Sequence, residues 1–316
     1  MINFSIIYLS LFLFLFISIT IATNNANEEF PYPSSINSPG TQDQVDSPII
    51  YSMGYIWQNT TLKANTPVAS FDLSSDAIPQ SLDWRTKGVV TPVKTQGHCG
   101  SCWAFSAVET IESALAITTG EAPVSLSVEQ ILVCCKTVVH SQCSSCMGGD
   151  PIAAYRYIQE NSTGLDATTD YPYNPATDPF DPPACKAASN KPVAKVTSWA
   201  YAVPRCAGEG SCADGAKKET ALMAAVAQNG PVSICIDAEH SFINYKSGIY
   251  NGPCSTKVVR QNHCVSIVGY DAQEKYWLVR NTWGKSWGED GYIRMAMGSN
   301  LCGITNEATI VNVTKA

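Results

Sequence analysis

Thirteen cysteines, an odd number, constrain this 316-residue chain more than any other feature. What they can do depends on where the chain lives, and its front speaks to that. Residues 6–22, IIYLSLFLFLFISITIA, form an apolar run ending in Ala22, with polar Thr23, Asn24 and Asn25 behind it. This reads as a secretory signal cleaved near Ala22, which leaves no stable membrane association; no Lys or Arg precedes the run, and the alternative is an uncleaved anchor. An exported chain meets an oxidising environment, so its cysteines pair, and an odd count leaves at least one thiol over in a monomer. Asn59, Asn161 and Asn312 each open an N-x-Thr sequon, which fits export and glycosylation.

With 45% hydrophobic residues the chain can bury a sizeable core. Its net charge of −7, with no basic stripe, argues against a nucleic-acid partner. Residues 23–77, rich in Asn, Ser, Pro and Thr, read as a processed or loosely structured leader, and the globular texture begins at Ile78. Ala104, Ala107, Val108, Ile111 and Leu115 fall at helical spacing with Glu109 and Glu112 off that face, so one buried helix runs from Cys102 to a stop at Gly120. Further helices are expected at 127–133 and 150–159, and short strands at 232–236, 264–270, 276–281, 292–297 and 308–313. Helices early and strands late predict an α+β fold of two lobes with a ligand cleft between them.

The stretch QGHCGSCWAFS, Gln96 to Ser106, sits at the mouth of the first helix. Its two cysteines are partners in a bridge, metal ligands, a redox pair, or one bridge half beside one nucleophile. A helix starting at Cys102 aims its free N–H groups and positive dipole end at that sulfur, which favours thiolate. A thiolate wants a base, and there are four histidines. His98 is on the entering loop, His140 in a cysteine-rich loop and His240 in an acidic turn. His263 opens the strand NHCVSIVGY and is the best candidate. In RNTWGKSWGEDGYIRM, Asn281 ends a strand where its amide can orient the imidazole, and Trp283 can cover that bond from water.

QGHCGSCWAFS, CMGG at 146–149, NHCVSIVGY and NTWGKSWGEDGYIRM occur in the order found in papain-like cysteine peptidases, and the chain from about Ile78 onward resembles the cathepsin L side of that family. The resemblance implies a helical left lobe, an antiparallel β-barrel-like right lobe and an active-site cleft between them. It makes Cys102 the nucleophile, His263 the general base and then acid, Asn281 the orienting amide and Gln96 an oxyanion donor beside the Cys102 N–H. Gly148 and Gly149 would bind substrate main chain, with Asn262 and Trp283 also at the substrate. It implies a monomeric endopeptidase of peptide substrates, secreted or lysosomal/vacuolar, open to cystatin-type inhibitors and needing neither metal nor cofactor. The paired-histidine loop that makes cathepsin B a dipeptidyl carboxypeptidase is missing. So is the interlaced Glu, Arg, Phe and Asn helix of cathepsin L-like propeptides, and the resemblance is silent on how a precursor would be held inactive.

By the same resemblance Cys99 pairs with Cys146, Cys135 with Cys185 and Cys254 with Cys302. Cys206 with Cys212 and Cys134 with Cys143 are further candidate pairs, and spacing alone does not settle them. Cys235 and Cys264 match positions lining the pocket for the P2 residue, either bridged or as two thiols facing substrate. Pro151 and Gln261 stand beside them, and Glu307, five residues beyond Cys302, matches the pocket base. A carboxylate there resembles the cathepsin B arrangement and predicts that P2 Arg is accepted beside Phe or Leu. Three other readings are open. They are a thioredoxin-like C-x-x-C at Cys99 and Cys102, a zinc site from Cys135, Cys143 and Cys146, and a catalytically silent scaffold.

Overall fold

The helix that begins at Cys102 ends where glycine permits it to: Gly120 takes φ 68° and returns its N–H to the Ala116 carbonyl. In this computed structural model, residues 53–57, 61–135, 142–160, 164–174, 183–185, 191–206, 208, 210–212 and 214–316 are described. In chain order they form α1 (Thr61–Asn65), β1 (Ser81–Asp83), α2 (Cys102–Thr119), α3 (Val128–Cys134), α4 (Pro151–Glu160), β2 (Ala194–Tyr201), α5 (Glu219–Asn229), β3 (Val232–Ile236), β4 (Ile249–Tyr250), β5 (His263–Asp271), β6 (Tyr276–Arg280), β7 (Tyr292–Ala296) and β8 (Ala308–Lys315). Ser127 caps α3 by accepting the Gln130 N–H, and Asp150 caps α4 by accepting the Ile152 N–H at 2.9 Å.

The strands build one sheet in the order β2-β8-β3-β5-β6-β7-β4, antiparallel except where β4 meets β7, with β1 added on β5. Residues Ile49–Ala316 form one compact unit with two main cores. One gathers α2, α3 and α4 against Val196, Val311 and Val313; the other lies among the sheet, α5 and a set of tryptophans and tyrosines.

The predicted strands all form, with ends shifted by a residue or two. Five elements lie outside the sequence reading: α1, β1, α5, β4 and β2, the last with its alternation broken by a bulge between Val196 and Ser198. The buried helix expected to start at Cys102 is α2. It packs against α3 and α4 on one side and β5 and β8 on the other, so no face of it is solvated from Cys102 to Ala116. Glu109 and Glu112 are off the apolar stripe but buried. Glu109 meets Arg280 at 3.1 Å, and Glu112 takes the Leu126 N–H at 2.7 Å, the Thr91 hydroxyl and the Lys94 ammonium.

All thirteen cysteines are described: six bridges form and Cys102 alone is free. Cys99–Cys146, Cys254–Cys302, Cys206–Cys212 and Cys235–Cys264 form. The expected Cys135–Cys185 and Cys134–Cys143 pairs do not. Cys134 bonds Cys185 and Cys135 bonds Cys143. The two thiols are consecutive at the end of α3, where neighbours point about 100° apart. Cys135 is the one aimed at α4, its sulfur 3.5 Å from the Ala153 carbonyl, and so it meets the loop that precedes α4. With Cys99, Cys135, Cys143 and Cys146 all in bridges, neither a Cys99–Cys102 redox pair nor a zinc site from these thiols is available.

Candidate active site

Cys102 is the first residue of α2 and is fully buried, which explains both halves of the opening motif: Cys99 anchors the loop to Cys146, and Cys102 is left as thiol. The Cys264 N–H donates to its sulfur at 3.4 Å, which sets the thiol beside the start of β5 and hence beside His263. His263 Nε2 lies 2.8 Å from Asn281 Oδ1, and that oxygen also accepts the Thr282 N–H at 2.8 Å. An atom accepting a backbone N–H is the amide oxygen, so Nε2 carries the imidazole proton and Nδ1 is the basic nitrogen. Nδ1 is buried without a hydrogen-bond partner among the described residues. Trp283 stacks on the imidazole, ring centroids 4.6 Å apart, and shields the His263–Asn281 bond as its place after Asn281 suggested. Of the other histidines, His98 is exposed, His140 lies outside the described residues, and His240 opens a four-residue helical turn.

Gln96 is buried beside this pair. Its Oε1 accepts the Thr282 hydroxyl, its Nε2 donates to the Cys99 carbonyl at 2.9 Å, and its own N–H donates to the Thr282 carbonyl at 2.9 Å. The loop carrying Gln96 and the segment carrying Asn281 are therefore fixed to each other.

What covers the site is the stretch 53–57, within the segment expected as a leader. The Gly149 N–H donates to the Gly54 carbonyl at 2.9 Å, the Ile56 N–H to the Gly149 carbonyl at 3.2 Å, and the Tyr55 N–H to the Asn262 carbonyl at 3.0 Å. Tyr55 and Gly149 thus pair as a short parallel bridge. At Gly54 the backbone N–H is turned to the Cys102 sulfur. The described part of the leader is ordered rather than loose. It needs no apolar periodicity because it takes backbone partners from Gly149, Asn262 and Tyr201, the last through Pro67 and Ala69.

Gly148 and Gly54 are dictated by this crossing, and Gly149 by Trp103 packed against it. A Cβ on Gly149 would fall 2.5 Å from the Trp103 ring, and one on Gly148 2.8 Å from Ile56. One on Gly54 would fall 1.9 Å from the Gly100 carbonyl oxygen, which is backbone and cannot turn away. Gly54→Ala is therefore expected to lift the leader and speed alkylation of Cys102 in the unprocessed chain about 10- to 100-fold, the scale of 1–3 kcal/mol of overpacking. A rate unchanged from wild type would contradict the crossing.

Under this cover the helix terminus does not prevail. Burial pushes the Cys102 thiol up to about 11, against the Cys264, Gly54 and Trp103 N–H groups that favour thiolate, and burial holds the His263 imidazole down to about 4 despite Asn281. The covered pair is neutral at physiological pH, contrary to the thiolate that the helix start alone predicts.

Of the positions matched to the P2 pocket, Glu307 meets the turn at α1. Cys235 and Cys264 face each other across β3 and β5 and are bridged, so neither is a free thiol. Gln261 donates to the Cys235 carbonyl, Asn262 accepts the Ala238 N–H at 2.9 Å, and Pro151 is buried at the start of α4. Glu307 is no surface residue; it is 4% exposed and meets Lys63 Nζ at 3.1 Å. Sequence reasoning missed Gly54, Tyr55, Lys63 and Asp150. The first three lie in a segment with no pattern, and Asp150 stood in plain view between Gly149 and Pro151.

A free thiol at a helix start stands close to an imidazole held by an amide, and a chain segment lies across them. Residues 78–312 match the model of the papain family cysteine protease, and the chain belongs to that family. It is 44% identical over 245 residues to cathepsin L2 of Homo sapiens, covering 75% of this chain and 66% of the relative. To fruit bromelain of Ananas comosus it is 39% identical over 246 residues, covering 75% of this chain and 62% of the relative. The matches thus span a little under two thirds of these relatives' length. Among solved structures, the bromelain protease from Ananas comosus in complex with the E64 inhibitor aligns with a TM-score of 0.62 at 38% identity, over 74% of this chain and 99% of that one. Recombinant stem bromelain precursor aligns at 0.67 and 36%, over 84% and 78%.

Proposed function

We propose that the chain is the precursor of a cysteine endopeptidase of the exported or lysosomal/vacuolar route, kept inactive by residues 53–57 until the leader, ending near Ala77, is removed. The observation that carries this is the single unpaired cysteine of thirteen, lying beside an Asn281-held imidazole. Once uncovered, the Cys102 thiolate attacks the peptide carbonyl, and the oxyanion is held by the Cys102 N–H and the Gln96 amide. Imidazolium His263 gives its proton to the leaving amine as the C–N bond breaks. A water deprotonated by His263 then cleaves the thioester, restoring thiol and imidazole. Cystatin-type inhibitors and a monomeric state belong to the same reading. Among the described residues no helix is long and apolar enough to cross a membrane.

An E64-type inhibitor or iodoacetamide at mildly acidic pH tests it. The processed protein should lose peptidase activity in step with one modified thiol, Cys102. Activity surviving full modification of that thiol would contradict the proposal.

The pocket reading is part of the proposal: with Glu307 at its base, P2 Arg is accepted beside Phe or Leu. Its support is that Glu307 already faces a cation, Lys63, there. Glu307→Ala should lower the Arg-to-Phe ratio of kcat/KM about 10-fold or more, as expected for a lost charge-assisted contact. An unchanged ratio would overturn it.

A further inference from the structure

Lys63 is an unusual occupant of this pocket. It comes from α1 in the leader and is 1% exposed, and lysine is almost never so deeply buried unless paired. Its ammonium lies 2.8 Å from Asp150 Oδ2 and 3.1 Å from Glu307 Oε1, and donates to the Tyr55 hydroxyl at 2.7 Å. The charged and titratable groups around it are Asp150 from the start of α4, Glu307 from the turn before β8, Tyr201 from β2, Tyr55 from the leader and, further out, Arg205. Burial works against the lysine charge, but Asp150 and then Glu307 outweigh it and hold Lys63 well above the usual lysine range. The Tyr201 hydroxyl, buried in the same field, has no hydrogen-bond partner among the described residues.

Without Lys63 the two carboxylates, both bound to one nitrogen now, would face each other across the same small space. Like charges that close repel and cost most where water is scarce, so the emptied pocket wants a cation. Asp150 adds what the sequence reading of Glu307 alone lacked. It is also fixed in place, because it caps α4 by accepting the Ile152 N–H.

We propose that Asp150 and Glu307 form a two-carboxylate clamp that selects a lysine or arginine side chain of the substrate, and that Lys63 is the chain's own occupant of that clamp, latching the leader over Cys102. This rests on the reading of Glu307 as the base of the P2 pocket. It goes beyond that reading in making Asp150 a second determinant and in tying specificity to latency: the side chain that the clamp prefers in substrate is the kind that the leader inserts.

The test has two arms. In the full chain, Cys102 alkylation by iodoacetamide is followed on the unprocessed species for wild type, Lys63→Met and Lys63→Arg. Lys63→Met should react about 10-fold faster or more, and Lys63→Arg, which keeps the cation, should stay near wild type. In the processed enzyme, Asp150→Asn keeps the helix cap and removes only the charge; it should lower the Arg-to-Phe P2 ratio by about 10-fold. An unchanged ratio in Asp150→Asn with a collapsed ratio in Glu307→Ala would overturn the clamp and leave the pocket reading standing; unchanged ratios in both would overturn the pocket reading itself. Equal alkylation of Lys63→Met and wild type would overturn the latch, as would Lys63→Arg reacting as fast as Lys63→Met.

Discussion

In the processed enzyme, Gln96→Ala is expected to lower kcat about 100- to 1000-fold with KM little changed, the usual cost of deleting one preorganised oxyanion donor. The geometry explains why the effect should be large. The Gln96 amide is not a mobile surface group that water could replace. It is buried, oriented at Oε1 by the Thr282 hydroxyl and set by its own backbone bond to Thr282. Thr282 in turn follows Asn281, so the donor and the residue orienting His263 are parts of one braced unit. Steady-state kinetics on a peptide with Phe at P2 checks the prediction. A loss below about 5-fold would remove Gln96 from the oxyanion site, since a working donor gives far more.

The second large effect falls on stability. Glu109 and Arg280 are each 1% exposed and pair at 3.1 Å between α2 and the end of β6. Removing one partner of such a pair leaves a charge buried alone, at a cost of about 3–5 kcal/mol. Glu109→Ala should therefore shift the urea midpoint of the full chain strongly downward, measured in a Cys102→Ser background to prevent self-digestion. It should also affect catalysis, because Arg280 immediately precedes Asn281 and its Nη2 is tied to the Pro92 carbonyl at 2.6 Å. A midpoint within experimental scatter of the parent would show that the pair carries no such weight.

These two cases mark where the sequence was readable. Motifs whose chemistry is local could be placed by residue type and spacing: Cys102 at a helix start, His263 at the head of a strand, and Asn281 followed by a shielding tryptophan. Helix ends were legible where a residue forces them, as Ser127 and Gly120 do. What failed depended on long-range packing. The partners of the Glu109 and Glu112 carboxylates show only once α2 is seen enclosed on both sides, and adjacent Cys134 and Cys135 are interchangeable until the helix shows which sulfur faces α4. The leader was read as loose because its order is borrowed: Gly54, Tyr55 and Ile56 are held by partners about 90 to 210 residues away in sequence, and no periodicity records that.

The same cover explains the chemical discrepancy at the nucleophile. A helix N-terminus lowers a thiol's pKa when the thiol is partly exposed; at Cys102 the leader excludes water and burial wins. Latency on this account is both steric and electrostatic, since the thiolate–imidazolium pair cannot form where neither charge is solvated.

The most direct measurement is the rate of Cys102 alkylation across pH 4 to 9, before and after leader removal. For the full chain, a thiol pushed to about 11 predicts slow reaction that rises with pH throughout the range, the thiolate fraction reaching only about one in a thousand at pH 8. After removal, a fast reaction at this one cysteine should persist into mildly acidic pH, where an ordinary thiol is silent. A full chain already fast at acidic pH, or a processed chain that still behaves as a thiol of high pKa, would contradict the account.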